Sequence, residues 1–120
     1  MAKIKITHED EVQTQDMADI LVTAFEGGIN YWCGGVKILE NPADVDWASD
    51  VVAHGGKLEL WDVEDPDEKW ILDQEKLLKG FAEGMKWGKY GSVEEMMDNH
   101  DAETADVIVQ YALFDEIVFG

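Results

Sequence analysis

The stretch LELWDVEDPDEKWIL, from Leu58 to Leu72, decides the fold class. Its first four residues alternate between apolar and polar, which is the pattern of a half-buried strand. Trp70-Ile71-Leu72 is a second apolar run of strand length, and the residues between the two runs, Asp62 to Glu68, are rich in turn formers. The stretch therefore predicts a β-hairpin with a long acidic loop.

Helical patterns flank this hairpin on both sides. Upstream, apolar residues recur on one face of a helix that we expect to begin near Asp10 and to end at Gly27-Gly28. A short helix is expected over Asp44 to Ala53, and Asp73 is a candidate N-cap for a second long helix. The side chains expected to be buried on the helical stripes are Met17, Ile20, Leu21, Phe25, Leu78, Phe81, Ile108 and Tyr111.

The last helix is expected to follow Asp101 and to turn a polar face, with Asp106 and Gln110, towards solvent. Ile117-Val118-Phe119 is a candidate closing strand. A chain of 120 residues fits one domain, residues 1–120. The sequence thus predicts a single α+β domain in which three or four helices pack on a small, mostly antiparallel sheet.

The composition restricts the partners that this protein can have. Asp and Glu total 27 against nine Lys and no Arg, which gives a net charge of −18. Nucleic acids and anionic membranes are bound through Lys and Arg, so we expect neither as a direct partner. Cys33 is a lone cysteine and the N-terminus carries no apolar signal segment, which predicts a cytoplasmic location.

The sequence contains no catalytic or cofactor-binding pattern. Cys33 would need a histidine to activate it as a nucleophile, and no spacing in the sequence supplies that pair. Asp62 to Asp73 has the length of an EF-hand loop, but Asp67 stands where glycine is required and Asp73 where glutamate is required. Gly55-Gly56-Lys57 lacks the spacing of a P-loop. We therefore expect no enzyme activity, no cofactor and no metal.

The acids are concentrated near the two ends of the chain. Six acids and no Lys lie between Glu9 and Glu26, and eight acids and no Lys lie between Tyr90 and Gly120. A solvated acidic surface explains such a pattern without any function. Alternatively, carboxylates along a helix face imitate phosphates and bind a basic surface. On this second interpretation, the predicted partner-binding residues are Glu9, Asp16, Asp19, Glu26, Tyr31 and Trp32.

Two segments carry a resemblance to a known group of proteins. TAFEGGINYWC, residues 23–33, and VQYALFDEIVFG, residues 109–120, resemble small uncharacterised proteins from phages and mobile elements of gut bacteria. The sequence departs from that group at Asp115, where glycine is expected. The resemblance implies a phage-like origin but no activity and no functional residues. Small acidic phage proteins often bind host machinery, so it favours a binding function by analogy.

These observations lead to three hypotheses. The first is a non-enzymatic binding protein that inhibits a host nucleic-acid-binding or defence protein by occupying its basic surface, as an anti-CRISPR protein or a DNA mimic does. The second is a phage accessory or assembly module that acts through self-association as a homodimer or through other protein contacts. The third, a nucleotide-binding or small-molecule-binding domain, is disfavoured because the chain has no Arg to hold phosphate. Salt-dependent partner binding would favour the first, and salt-insensitive self-association the second.

Overall fold

The hairpin predicted at the centre of the sequence forms the middle and one edge of a three-stranded antiparallel sheet, in the order β3-β4-β5. The structure is a computed structural model that describes residues 11–120, together with the backbone of residues 3–5. A separate antiparallel pair, β1-β2, lies near the N-terminus. The strands are β1 (Lys3–Lys5), β2 (Glu11–Gln13), β3 (Cys33–Glu40), β4 (Lys57–Asp62) and β5 (Lys69–Leu72).

Five α-helices of the described residues accompany the sheet, so the predicted α+β class is confirmed. They are α1 (Thr14–Thr23), α2 (Ala48–Val51), α3 (Gln74–Gly88), α4 (Val93–Asn99) and α5 (Ala102–Phe114). A π-helical turn, Ala24–Gly28, continues α1, and a 3-10 turn, Val52–His54, continues α2. No helix in this part of the chain is both long and apolar enough to cross a membrane.

Local capping sets the starts of the two long C-terminal helices. Asp73 accepts a hydrogen bond from the Lys76 amide at 2.9 Å, and Asp101 accepts one from the Thr104 amide at 2.9 Å. Each bond satisfies one of the amides that a helix N-terminus leaves without an intrahelical partner. Both predicted caps are confirmed.

The inner face of the sheet supplies the centre of the core. Leu58 and Leu60 of β4 are fully buried, and they alternate with the less buried Glu59 and Trp61. Val36 of β3 lies opposite Leu60 in the register of the β3-β4 pair. This alternation is the period-two pattern from which the sequence predicted the strand.

Helices α3 and α5 pack closely because glycines line their contact. A Cβ atom on Gly80 would lie 2.2 Å from the carbonyl oxygen of Ile108, and one on Gly84 would lie 2.7 Å from the Ile108 side chain. In an exposed helix each glycine would be destabilising by about 1 kcal/mol relative to alanine. In the structure both are buried, and the missing side chains allow the two helices to approach.

The first helix begins later than the sequence predicted. Glu11–Gln13 form strand β2, paired with β1, and α1 begins at Thr14 rather than near Asp10, which lies outside the described residues. The Asp16 carboxylate accepts a hydrogen bond from the Gln13 amide at 2.9 Å and so fixes this later start. The predicted end at Gly27-Gly28 is confirmed, since the π-helical turn closes there.

The C-terminal segment also differs from its prediction. Ile117-Val118-Phe119 is not a strand; instead, the Val118 and Phe119 amides donate to the Gln110 side-chain oxygen, each at 2.8 Å. Asp106 and Gln110, expected on a solvent-facing side, are 9% and 1% exposed. Of the predicted core residues, three are only half-buried: Phe25, Leu78 and Tyr111. The others are buried: Met17, Ile20, Leu21, Phe81 and Ile108.

Candidate partner-binding surface

A groove of about 440 Å³ lies between α1 and α2 and is lined by both apolar and acidic residues. We call it the α1–α2 groove. Its apolar lining is formed mainly by Val22, Phe25 and Trp47. Three acids also line it, Asp19, Glu26 and Asp50, and we call them the rim carboxylates. Two of the predicted partner-binding residues, Asp19 and Glu26, thus lie together at one concave surface.

Trp47 is the most exposed large apolar side chain of the described residues, at 71%. The loop before it is held by the Asn41 side chain, which donates to the Val45 carbonyl at 2.9 Å and accepts from the Val45 amide at 3.0 Å. On its other side, the Trp47 carbonyl accepts from the Asp50 amide at 2.9 Å as α2 begins. The backbone that carries Trp47 is therefore fixed, although its ring faces solvent.

The rim charges are not neutralised within the described part of the molecule. No Lys lines the groove. The ion pairs given by the structure lie elsewhere: Lys57–Glu40, Lys69–Glu59, Lys79–Asp115 and Lys86–Glu83. Asp19 accepts one hydrogen bond, from the Gln15 amide group at 2.7 Å, which uses one of its two oxygens. The rim is therefore a local excess of negative charge beside an exposed indole.

Asp16 lies outside this groove. It lines a second depression, of about 360 Å³, between α1 and α4, where Glu11, Glu94 and Asp98 add further acids. Because its carboxylate holds the Gln13 amide at the start of α1, Asp16 has a structural role. Reversing its charge would disturb the helix start as well as the surface.

Trp32 was predicted as a partner contact, and that prediction is wrong, because its indole is only 2% exposed. Its N–H donates to the Asp106 carboxylate at 2.8 Å. Its ring stacks on Phe119 with centroids 5.0 Å apart, and the edges of Trp70 and Phe114 lie close by. The residue is a core aromatic that secures the C-terminal segment.

Tyr31 is 52% exposed but does not line the α1–α2 groove. Its hydroxyl donates to the Asp106 carboxylate. Loss of solvation raises the pKa of Tyr31 to about 12. The hydrogen bond to Asp106 and the negative charge of Asp106 act in the same direction. Its hydroxyl therefore belongs to the buried network around Asp106 and not to the groove. The remaining predicted contact, Glu9, lies outside the described residues.

Cys33 is buried, and its Sγ lies 3.3 Å from the Gly35 carbonyl. Burial raises the pKa of this thiol, which disfavours the reactive thiolate. The two described histidines bond elsewhere: His54 contacts the Asp50 carbonyl, and His100 contacts Thr23 and the backbone. Within residues 11–120, no group of three or more His, Cys, Asp or Glu side chains could hold a metal ion.

Sequence reasoning missed the side of the groove formed by Trp47 and α2, which includes Asp50. The signal that could have identified Trp47 is its position among acids in the run Asp44 to Asp50, where a core residue is unexpected. Comparison of the chain with protein-family models, with curated proteins and with solved structures found no match. The geometry of the groove is therefore the basis for a functional assignment.

Proposed function

We propose that this protein is a non-enzymatic acidic binding protein of phage or mobile-element origin that acts in the cytoplasm of a bacterial host. It inhibits a host nucleic-acid-binding or defence protein by occupying that protein's basic surface. The observation that supports this proposal is the α1–α2 groove, in which exposed Trp47 shares one concave surface with the acids Asp19, Glu26 and Asp50 and no Lys is among the described lining residues. The phage-like resemblance of the two sequence segments points to the same class of function.

An exposed tryptophan beside a concave surface is typical of a protein–protein contact. Tryptophan is enriched among the residues that dominate binding energy, because it buries a large apolar area with little loss of conformational freedom. In the free protein 71% of Trp47 is exposed to water. Burial of this apolar surface by a partner would contribute favourable free energy to binding.

The net negative charge of the protein favours basic partners. A net charge of −18 produces a long-range field that attracts basic proteins and repels acidic ones. Asp19 on α1 and Glu26 on the π-helical turn that continues it place two carboxylates on the same side of the groove. Carboxylates in such a row can occupy positions on a basic surface that normally receive phosphates.

The proposal can be tested by capture from a bacterial host lysate with matched charge variants. The groove variant is Asp19→Asn/Glu26→Gln/Asp50→Asn. The loop variant, Glu64→Gln/Asp67→Asn/Glu68→Gln, removes the same charge from the exposed β4–β5 loop. We expect wild type and the loop variant to capture a nucleic-acid-binding protein that duplex DNA or RNA displaces, and the groove variant to lose it. Equal capture by all three proteins, or no displacement by nucleic acid, would contradict the proposal.

One observation favours the alternative, an assembly module that self-associates. Within the described residues, β3 pairs only with β4, so its other edge is available, and Ile38 and Leu39 on it are each 39% exposed. Such an edge can pair with a second copy. Register shifts near both ends of β3 and the charge of Lys37 oppose this pairing. Sedimentation analysis at low and high salt would reveal a salt-insensitive dimer if this alternative holds.

A further inference from the structure

We propose that the α1–α2 groove selects an arginine side chain of its partner, with the guanidinium stacked on Trp47 and paired with the rim carboxylates. This inference rests on the proposed function, because it specifies which basic group enters the groove. It is carried by the combination, in one concave surface, of an exposed indole, apolar lining residues and three acids that have no Lys partner among the described residues.

The indole of Trp47 is the first half of this site. Among aromatic side chains, tryptophan gives the strongest attraction to a cation held over its ring, and arginine is the cation found there most often. The planar guanidinium also stacks on the ring and is less strongly hydrated than the ammonium group of lysine. Val22 and Phe25 line the groove beside Trp47, where they can contact the methylene stem of the arginine.

The rim carboxylates are the second half of the site. The guanidinium presents five N–H donors in a fixed fork, which suits two or more carboxylates around one group. Asp19 keeps one oxygen that the Gln15 bond does not use, and Asp50 and Glu26 add two further acceptors at the rim. A lysine ammonium acts as a point charge and uses such an arrangement less fully.

The backbone on one side of the groove is already ordered in the free protein. The two Asn41–Val45 hydrogen bonds fix the loop that precedes Trp47, so little backbone ordering is required on binding. The chain itself contains no Arg. A second copy of this protein therefore cannot supply the guanidinium, and the occupant must come from a different, basic protein.

The experiment compares two peptides, one of alternating arginine and serine and one with lysine in place of arginine, equal in length and charge. Their affinities for the wild-type protein are measured by calorimetry at low and at physiological salt. We expect the arginine peptide to bind about tenfold more tightly, since a desolvated cation–π contact contributes an effect of that order. Trp47→Leu should remove this preference by weakening the arginine peptide more than the lysine peptide, and Trp47→Phe should retain part of it.

Equal affinity of the two peptides, or an unchanged preference in Trp47→Leu, would overturn the inference. In that case the proposed function still stands if the groove variant binds both peptides more weakly than the loop variant does. If the groove and loop variants bind both peptides equally, the proposed function fails as well. A denaturation midpoint equal to that of wild type verifies the fold of each variant, and Trp47→Phe gives a second aromatic test should Trp47→Leu unfold.

Discussion

Replacing Gln110 by leucine tests the buried network that holds the C-terminal segment. The Gln110 oxygen accepts the Val118 and Phe119 amides, each at 2.8 Å. Its NH₂ group donates to the Asp106 carboxylate at 2.8 Å and to the Phe119 carbonyl at 3.2 Å. Leucine has a similar size and keeps the apolar contacts of this position, so the change removes hydrogen bonds without opening a large cavity.

The expected loss of stability follows from these bonds. A hydrogen bond to a charged group contributes about 1.5 to 3 kcal/mol, and each neutral bond contributes about 1 kcal/mol. Val118 is 54% exposed, so water can replace part of what its amide loses. We therefore expect Gln110→Leu to lower the free energy of unfolding by about 3 to 5 kcal/mol.

The assay is urea unfolding followed by tryptophan fluorescence, with Gln74→Leu as the matched control. Gln74 makes a single hydrogen bond, to the Ala53 carbonyl at 3.3 Å, so the control should lose no more than about 1 kcal/mol. Amide exchange at Val118 and Phe119 should accelerate only in the Gln110 variant. If Gln110→Leu lies within about 0.5 kcal/mol of wild type, the bonds around Gln110 do not stabilise the fold as argued.

Substitutions at three other positions test particular features of the fold. Gly80→Ala should destabilise the protein by about 1 to 3 kcal/mol in chemical unfolding, because its Cβ would meet the Ile108 carbonyl at 2.2 Å; wild-type stability would refute the close helix contact. Asp115 has φ of 63°, so Asp115→Gly should be about 1 kcal/mol more stable than Asp115→Ala, which loses the same Lys79 ion pair; equal stability would show that the left-handed turn is absent. The raised pKa of Tyr31, about 12, favours the folded state below pH 10, and this contribution is lost as the pH rises through 12. Tyr31→Phe should therefore lose less stability than wild type between about pH 9 and about pH 11 in urea unfolding, and an identical pH dependence would contradict this.

The elements that the sequence predicted correctly are those set by local patterns. The β4–β5 hairpin follows from alternation in Leu58–Trp61, and the starts of α3 and α5 follow from capping by Asp73 and Asp101. In each case the deciding interactions lie within a few residues of one another. The α+β class followed because these elements can bury their apolar faces only by packing helices on the sheet.

The elements that the sequence missed depend on contacts between distant segments. Asp106 and Gln110 have the helical spacing of a polar face. The spacing does not reveal whether these side chains accept hydrogen bonds from water at the surface or from protein groups in the interior. Here Asp106 accepts from Tyr31 and Trp32, more than 70 positions away, and Gln110 accepts from the Val118 and Phe119 amides of the segment after the helix. Protein donors therefore replace water, and the network is buried. This also explains why Trp32 was assigned to the surface.

The candidate site was predicted only in part for the same reason. Asp19 and Glu26 were identified because they lie on one helix and carry charge without a nearby Lys. Trp47 and Asp50 complete the groove from α2, which follows α1 by more than twenty residues. Their placement beside α1 depends on packing, which no local spacing reveals. The resemblance to phage proteins remains a prediction.

The central claim is that the acidity acts through the α1–α2 groove and not as a general solubilising charge. The most direct test measures the affinity of the captured host protein for wild type, for the groove variant and for the loop variant at physiological salt. The two variants lose the same formal charge, so the long-range field changes equally in both. We expect an affinity loss of about tenfold or more for the groove variant, with the loop variant within about twofold of wild type. Equal losses in the two variants would contradict a localised site and leave the charge as a property of the whole surface.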